Sequence, residues 1–421
     1  MNKIISILVI ISVSIASLSA SDRKPFYKAL ILEKVKEIDP YVRSIRGYVH
    51  EHPEKSLQEF ETSKFLKAEV EKLGLKVYPS SPTGFYTILE TGRPGKTVAL
   101  RTDIDALPVK ENPFNLKQTK RWISKNDGVA HVCGHDGHIA VLLGTLKILN
   151  GLKDRLKGRI IFIFEDAEEI AGGVDNMIKA LSEYRIDAIY GNHVNAAIPV
   201  GELSITEGPV MAGAAGIGFD VIGRGGHASR PDQSINPVYA AAHILTGISV
   251  AWNNQIDITK TVTLGITQIH GGEASNIFPN SVFIGGTLRF FDRTAGEQAV
   301  EVFKRVASSV AEAHNAQVKF SEESKVSMEP VVNDSSLASI AREVAGELFP
   351  GHILSGDQMY GCEPFSRYRS IAPILYIFIG IANDELGSGA AHHNDKFDID
   401  EDALQYGVGA MVGFAVKMTE Q

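Results

Sequence analysis

The run Arg159-Ile160-Ile161-Phe162-Ile163-Phe164 leaves this chain little freedom in its choice of fold. A strand that is apolar at consecutive positions has to be covered on both faces, which is the environment of a mainly parallel sheet between helices. Polar chemistry begins where the run stops, at Glu165, Asp166, Glu168 and Glu169. Shorter strands are expected over 85–89, 97–101 and 187–190, and helices over 138–152 and 174–183. Such alternation of strand and helix describes an α/β domain, whose functional side chains gather at the carboxyl ends of the strands.

A chain of 421 residues is longer than one hydrophobic core usually organises, so two domains are expected. The amino-terminal stretch from Pro25 to about Gly74 is helical in pattern. Leu30, Val35, Ile38, Val42 and Ile45 recur near the helical period, and a second helix bearing Phe65, Leu66, Val70 and Leu73 stops at Gly74. At Gly208 to Gly213 the texture changes. There follow a strand over 216–222, a helix over 237–252, strands over 262–269 and 281–291, a helix over 295–314 and a strand over 317–324. That βαββαβ order is the order of a ferredoxin-like sandwich. It interrupts the α/β domain, which resumes after Pro330 with a helix over 335–348, a strand over 374–379, the His392-His393 loop and a helix over 401–418. The expected division is therefore 1–20, 21–208, 209–328 and 329–421, with hinges at Gly208–Gly216 and Pro330.

The first of these segments has the order of a secretory signal. Met1-Asn2-Lys3 precedes an apolar run from Ile4 to Ala16 and then Ser17-Leu18-Ser19-Ala20, with cleavage expected near Ser19 or Ala20. The run is short for a bilayer span, so no stable membrane anchor is expected, and the protein is placed in the periplasm or the extracellular medium. A net charge of -8 gives no reason to expect a nucleic-acid partner.

Where is the chemistry? His131-Val132-Cys133-Gly134-His135-Asp136-Gly137-His138 concentrates three histidines and a cysteine in a chain with 13 histidines and two cysteines. Crowded soft and borderline donors suggest a transition metal, and Cys133 reads better as a thiolate ligand than as half of a disulfide with Cys362. Glu168 and Glu169 follow the apolar strand, where one carboxylate can bind metal while the other manages protons. Asn192-His193 and His392-His393 also follow strands. Asp103 and Asp105, in Arg101-Thr102-Asp103-Ile104-Asp105, are candidates to accept a ring N–H and fix a ligand imidazole.

Together these motifs resemble the dinuclear-metal amidohydrolases that include aminoacylase-like enzymes, hippurate hydrolases and auxin-conjugate (IAA-amino acid) hydrolases. The resemblance rests on Arg101 to Pro108, Cys133-Gly134-His135-Asp136-Gly137-His138, Ala167-Glu168-Glu169, Asn192-His193-Val194, Gly225-Gly226-His227, Asn276 to Pro279, Gly286-Thr287-Leu288-Arg289, and His393 before Phe397-Asp398. It implies a zinc-peptidase-like α/β catalytic domain interrupted by a lid and dimerisation domain. It implies that Cys133, His135, Glu169, His193 and His393 hold two divalent ions (zinc, manganese, cobalt or nickel). Glu168 is implied as general base, Asp103 as a further catalytic group, and His227 as an oxyanion donor from the lid, often that of a dimer partner. Asn276 and Arg289 are implied to grip a substrate carboxylate. The implied substrate is a small N-acyl amino acid, with free dipeptides or peptides as the alternative. Pro364, Asn280, Asp395 and the charged pair Glu165-Asp166 ahead of Ala167 depart from the family pattern, which bears on the shape of the substrate pocket.

Overall fold

The computed structural model describes residues 20–420, so the expected signal segment lies outside the described residues apart from Ala20. An eight-stranded sheet runs in the order Val77–Pro79, Phe85–Glu90, Arg159–Glu165, Thr97–Asp103, Ala188–Pro199, Ile374–Ala382, Leu203–Ser204, Ile353–Leu354. The four strands from Arg159–Glu165 to Ile374–Ala382 are mutually parallel. Alternate residues of the apolar run serve two cores. Ile160, Phe162 and Phe164 pack toward the helices Ala20–Glu51, His135–Gly151 and Ala403–Glu420, while Ile161 and Ile163 pack on the opposite face with Val174, Met177 and Phe365. This two-sided burial is why the run contains no polar position.

One feature of the ladder opens the sheet. Thr97–Asp103 stays paired with Arg159–Glu165 along its whole length, but pairs with Ala188–Pro199 only from Val98 to Leu100. Past Tyr190 the two strands part, and a crevice forms at the carboxyl edge, where ligands of open α/β sheets bind.

Residues 213–328 build a second sheet with its own core. Its order is Val262–His270, Ser281–Phe290, Gly213–Ile222, Gln317–Phe320, all antiparallel, and Val326–Met328 adds a fifth strand beside Gly213–Ile222. Helices Pro237–Gln255 and Arg293–Ala313 cover one face through Ile244, Ile248 and Phe303, packed on Phe219 and Leu288. The Asn236 and Asp292 side chains accept the N–H groups of Val238 and Ala295 and so start these helices. The strand expected to reach 324 ends at Phe320. Beyond it, Ser324 Oγ donates to Gly218 O at 2.7 Å and accepts from Gly218 N at 3.0 Å, in place of further ladder bonds. No helix among the described residues is long and apolar enough to cross a membrane.

Candidate metal centre

Gly134 opens the site. Its φ is 98°, and a Cβ there would stand 2.3 Å from Val194 Cγ2, so only glycine makes this turn. The turn launches helix His135–Gly151, three residues earlier than the sequence pattern suggested, and puts His135 and His138 on one face of its first turn. His193, expected just past a strand end, lies inside Ala188–Pro199, directly after the point where the strands part. Glu168 and Glu169 sit on a one-turn helix between Ala167 and Ala171, both at φ 52°. His393 comes from a loop, itself at φ 66°, and its N–H donates to Val132 O at 2.8 Å.

These segments bring the donors into two triads that share one sulfur, Cys133–His135–His193 and Cys133–Glu169–His393, with the ligand atoms of each within 4.8 Å of one another, and two further groups as close, Asp103–His135–His138 and Asp105–His135–Glu168, share His135. His193 Nε2 lies 3.5 Å from Cys133 Sγ. His135 Nε2 is 3.7 Å from Glu169 Oε1, and His393 Nε2 is 3.6 Å from Glu169 Oε2. Hydrogen bonds assign the tautomers. His193 Nδ1–H donates to Val194 O at 2.6 Å and His135 Nδ1–H to Asp105 O at 2.9 Å, so in both rings the Nε2 lone pair faces the cluster.

His138 is committed elsewhere. Its Nδ1–H donates to Asp103 Oδ1 at 2.8 Å and its Nε2 accepts from Val194 N at 2.9 Å. Of the two aspartates singled out in the sequence, Asp105 therefore stands against Nδ1 of His135, at 3.2 Å, while Asp103 orients His138 and lies 3.8 Å from His135 Nε2. An Asp-x-Asp spacing on an extended chain sends both carboxylates to the same face, and only the tertiary contacts tell them apart.

The centre fits divalent cations. His135 Nε2 and Glu169 Oε1 are buried without any hydrogen-bond partner, which is costly unless something else satisfies them. Burial pushes the Cys133 thiol well above its usual range and raises Glu169. Burial again, then the facing carboxylate of Glu363, raises Glu168 well above the carboxylate range. Buried acids that resist ionising alone ionise readily against a cation, and sulfur, imidazole and carboxylate together suit zinc and its first-row neighbours. Glu168 Oε2 is 3.8 Å from His135 Nε2, within reach of the cluster and outside both triads.

A second charge network backs the first. The buried Arg101 guanidinium donates to both oxygens of Glu165 (3.1 and 3.0 Å), to Asp103 at 2.8 Å and to Glu363 at 3.2 Å. Tyr368 and Tyr376 donate to Glu165 at 2.5 Å and Glu363 at 2.7 Å. Glu165 and Glu363 thus hold Arg101, which holds Asp103. Sequence reasoning did not assign them this role, and the unusual polarity of Glu165 at the end of an apolar strand was the available signal.

The lid residues lie apart. His227 is exposed on the two-residue strand Gly226–His227, paired with Ile277–Phe278, and Ala228 N donates to Asn276 O at 3.0 Å, so the lid brings His227 and Asn276 together. Ser229 N donates to His227 Nδ1 at 3.2 Å, leaving Nε2–H as an outward donor. Neither residue has a hydrogen bond or ion pair to the metal cluster among the described residues. Arg289 binds Thr287 Oγ1 and Leu288 O, and its charge acts on the Cys362 thiol, which burial raises.

The departures from the family pattern are accommodated locally. Pro364 occupies the first position of the turn Pro364–Ser370, where its missing N–H costs nothing, and the Glu363 carboxylate caps that turn by accepting from Phe365 N at 2.9 Å. Asn280 accepts from Gly225 N at 3.0 Å. Asp395 offers its carbonyl to Lys120 Nζ at 2.9 Å.

Donors for two divalent cations, beside a carboxylate that can hold a proton, serve hydrolysis, and fold and crevice together place the chain among metal-dependent hydrolases. The chain belongs to peptidase family M20/M25/M40, whose model matches residues 99–417. It is 34% identical over 394 residues to thermostable carboxypeptidase 2 of Saccharolobus solfataricus, covering 92% of this chain and 98% of the relative. It is 33% identical over 396 residues to IAA-amino acid hydrolase ILR1-like 4 of Arabidopsis thaliana, covering 93% and 88%. Among solved structures, a dinuclear metal binding peptidase of the M20 family from Bacillus subtilis superposes with TM-score 0.79 at 30% identity, covering 91% and 99%. The protein is thus a metal-dependent amidohydrolase or peptidase that binds divalent ions.

Proposed function

We propose that the protein is an exported amidohydrolase that cleaves N-acyl amino acids to a carboxylic acid and a free amino acid. The observation that carries this reading is Glu168, a buried carboxylate 3.8 Å from His135 Nε2 and outside the two triads that share Cys133. Cys133, His135 and His193 would hold one ion, and Cys133, Glu169 and His393 the other. Bound there, divalent cations supply Lewis acidity toward an amide carbonyl and a water nucleophile at neutral pH. Glu168 takes the proton of that water and delivers it to the leaving nitrogen. Asp103 holds His138, and through it the Val194 backbone behind the ligands.

The lid would complete the substrate site. His227 offers Nε2–H to the developing oxyanion, and Asn276 and Arg289 take the substrate carboxylate. His227 and Asn276 are exposed in the single chain, which supports a homodimer in which the lid serves a partner's crevice. With domain boundaries at 208 and 328, the glycine-rich Gly208–Gly216 and Pro330 are proposed as its hinges. Export rests on the residues from Met1 to Ala20 alone. A second reading, carboxypeptidase or dipeptidase action on free peptides, is favoured by the similarity to a thermostable carboxypeptidase.

The test is amino-acid release from a panel of N-acetyl, N-benzoyl and N-indoleacetyl amino acids beside dipeptides, with zinc, manganese, cobalt and nickel compared, and Glu168→Gln in parallel. Release from acylated substrates, abolished in the variant, supports the proposal. Release from dipeptides alone moves the assignment to the second reading.

A further inference from the structure

The turn that carries Glu168 and Glu169 is strained. Ala167 and Ala171 both occupy the left-handed region, at φ 52°, with only the three residues Glu168 to Ile170 between them, and the turn is closed by Ala171 N to Glu168 O and Gly172 N to Ala167 O, each 2.8 Å. A non-glycine residue persists there only when its surroundings over-determine it.

What determines Ala167 is a carboxylate from a distant loop. Glu59, fully buried, accepts Ala167 N–H on Oε1 at 2.8 Å and Leu57 N–H at 3.0 Å, while Oε2 accepts from Thr83 Oγ1 at 3.0 Å. The same loop supplies a second prop. Ser56 Oγ donates to Asp105 Oδ2 at 2.6 Å, and that oxygen accepts Glu169 N–H at 3.1 Å. Two backbone N–H groups of the turn, on either side of Glu168, are therefore held by carboxylates that the segment 56–59 provides or steers. Charge-assisted bonds of this kind are about twice as strong as neutral ones and so oppose the cost of a left-handed residue other than glycine.

We infer that Glu59 is a positioning residue: by clamping the left-handed Ala167 through its N–H, it aims Glu168 and Glu169 at the metal cluster. Glu59 touches neither substrate nor ligand atoms. The inference rests on the reading of Glu168 as base and Glu169 as ligand, and its test separates the two.

Glu59→Met keeps the volume of the side chain and removes both acceptors. Glu59→Gln keeps an acceptor for Ala167 N–H and turns its amide N–H toward the Thr83 hydroxyl. Metal-stripped protein is titrated with cobalt(II) alone, followed by its visible absorption, with no substrate present. Glu59→Met is expected to weaken cobalt binding about 10–100-fold, the range for outer partners of a metal site. With the best substrate, kcat should fall while KM stays within about twofold. Glu59→Gln should restore both. Adding Ala167→Gly to Glu59→Met should also recover cobalt affinity, because glycine enters the left-handed region without a clamp.

Unchanged cobalt affinity in Glu59→Met overturns the inference, as does a loss that neither Glu59→Gln nor Ala167→Gly repairs. If Glu59→Met does not fold, the double variant decides. A folded, cobalt-binding double variant supports the clamp, and an unfolded one overturns it. A wild-type protein inactive on every amide would count against the proposed reaction, while the cobalt titration would still judge the clamp.

Discussion

The ligand cluster and the lid residues are opposite kinds of site. Around Cys133, His135 and His193 almost every side chain is buried and oriented by a named acceptor, so the site exists before any substrate arrives. His227 and Asn276 are exposed, and they are organised by the short pairing of Gly226–His227 with Ile277–Phe278, by Ala228 N on Asn276 O and by Ser229. Metal binding demands preorganisation, because an unfilled donor set of buried acids is expensive to hold together. Substrate gripping tolerates, and for turnover requires, a surface that approaches and departs. His393 stands between the two: its side chain is 54% exposed while its backbone is tied to Val132.

The comparison can be broken most severely at the sulfur common to both triads. Cys133→Ala should lower metal content for both ions at once and abolish most of the activity, whereas His193→Ala should spare the triad with Glu169 and His393. Metal analysis of the two dialysed proteins checks this, and equal losses would deny that Cys133 is shared.

Glu168→Gln should leave metal content intact and lower kcat by about 10²–10⁴-fold, the range for a positioned acid–base group. A comparable loss of metal would make Glu168 a ligand instead.

The lid gives a smaller, differently patterned effect. His227→Ala should cost about 10²–10³ in kcat with metal content unchanged. If the lid acts on a partner, mixing His227→Ala with Glu168→Gln should regain part of the activity, since some mixed dimers then hold one intact site. No recovery after subunit exchange would place the lid histidine on its own chain.

The smallest effect concerns the scaffold behind the cluster. Burial opposes charge on His50, but the Asp136 and Glu111 carboxylates raise it to about 9, from 6.5. Burial likewise opposes charge on Glu111, yet His50 and Lys120 hold it at about 2, from 4.5. The stability from charged His50 is fully present below pH 6.5 and is lost as pH rises through about 9. That from ionised Glu111 is present above pH 4.5 and is lost as pH falls through about 2. Thermal unfolding across pH should show a decline of a few degrees on the alkaline side that His50→Gln flattens. An unaltered alkaline limb in the variant would remove His50 from the account.

Much of this arrangement was legible in the residues. The apolar run from Ile160 to Phe164 announced a two-sided parallel sheet, and the βαββαβ order of the insert survived with three unforeseen short strands, Gly226–His227, Ile277–Phe278 and Val326–Met328. Crowding of Cys133, His135 and His138 marked a metal centre, although the pattern could not show that His138 is spent on Asp103 and Val194. The extent of the strand through His193 was missed because Asn192 and His193 carry polar side chains, and a polar residue at the edge of a crevice looks like the end of a strand.

Local sequence determined which segments become strand, helix or tight turn, since periodicity, glycine and capping residues act within a few positions. Gly134 is the clearest case, required both by its φ and by the nearness of Val194. Partnership across the chain was decided only in three dimensions. Asp105 rather than Asp103 stands against Nδ1 of His135, Arg101 gathers Glu165 and Glu363, and Glu59 clamps Ala167 from 108 residues away. Hydrogen bonds reach about 3 Å whatever the separation in sequence, so only the packing of the sheet and its helices could choose among carboxylates that look alike along the chain.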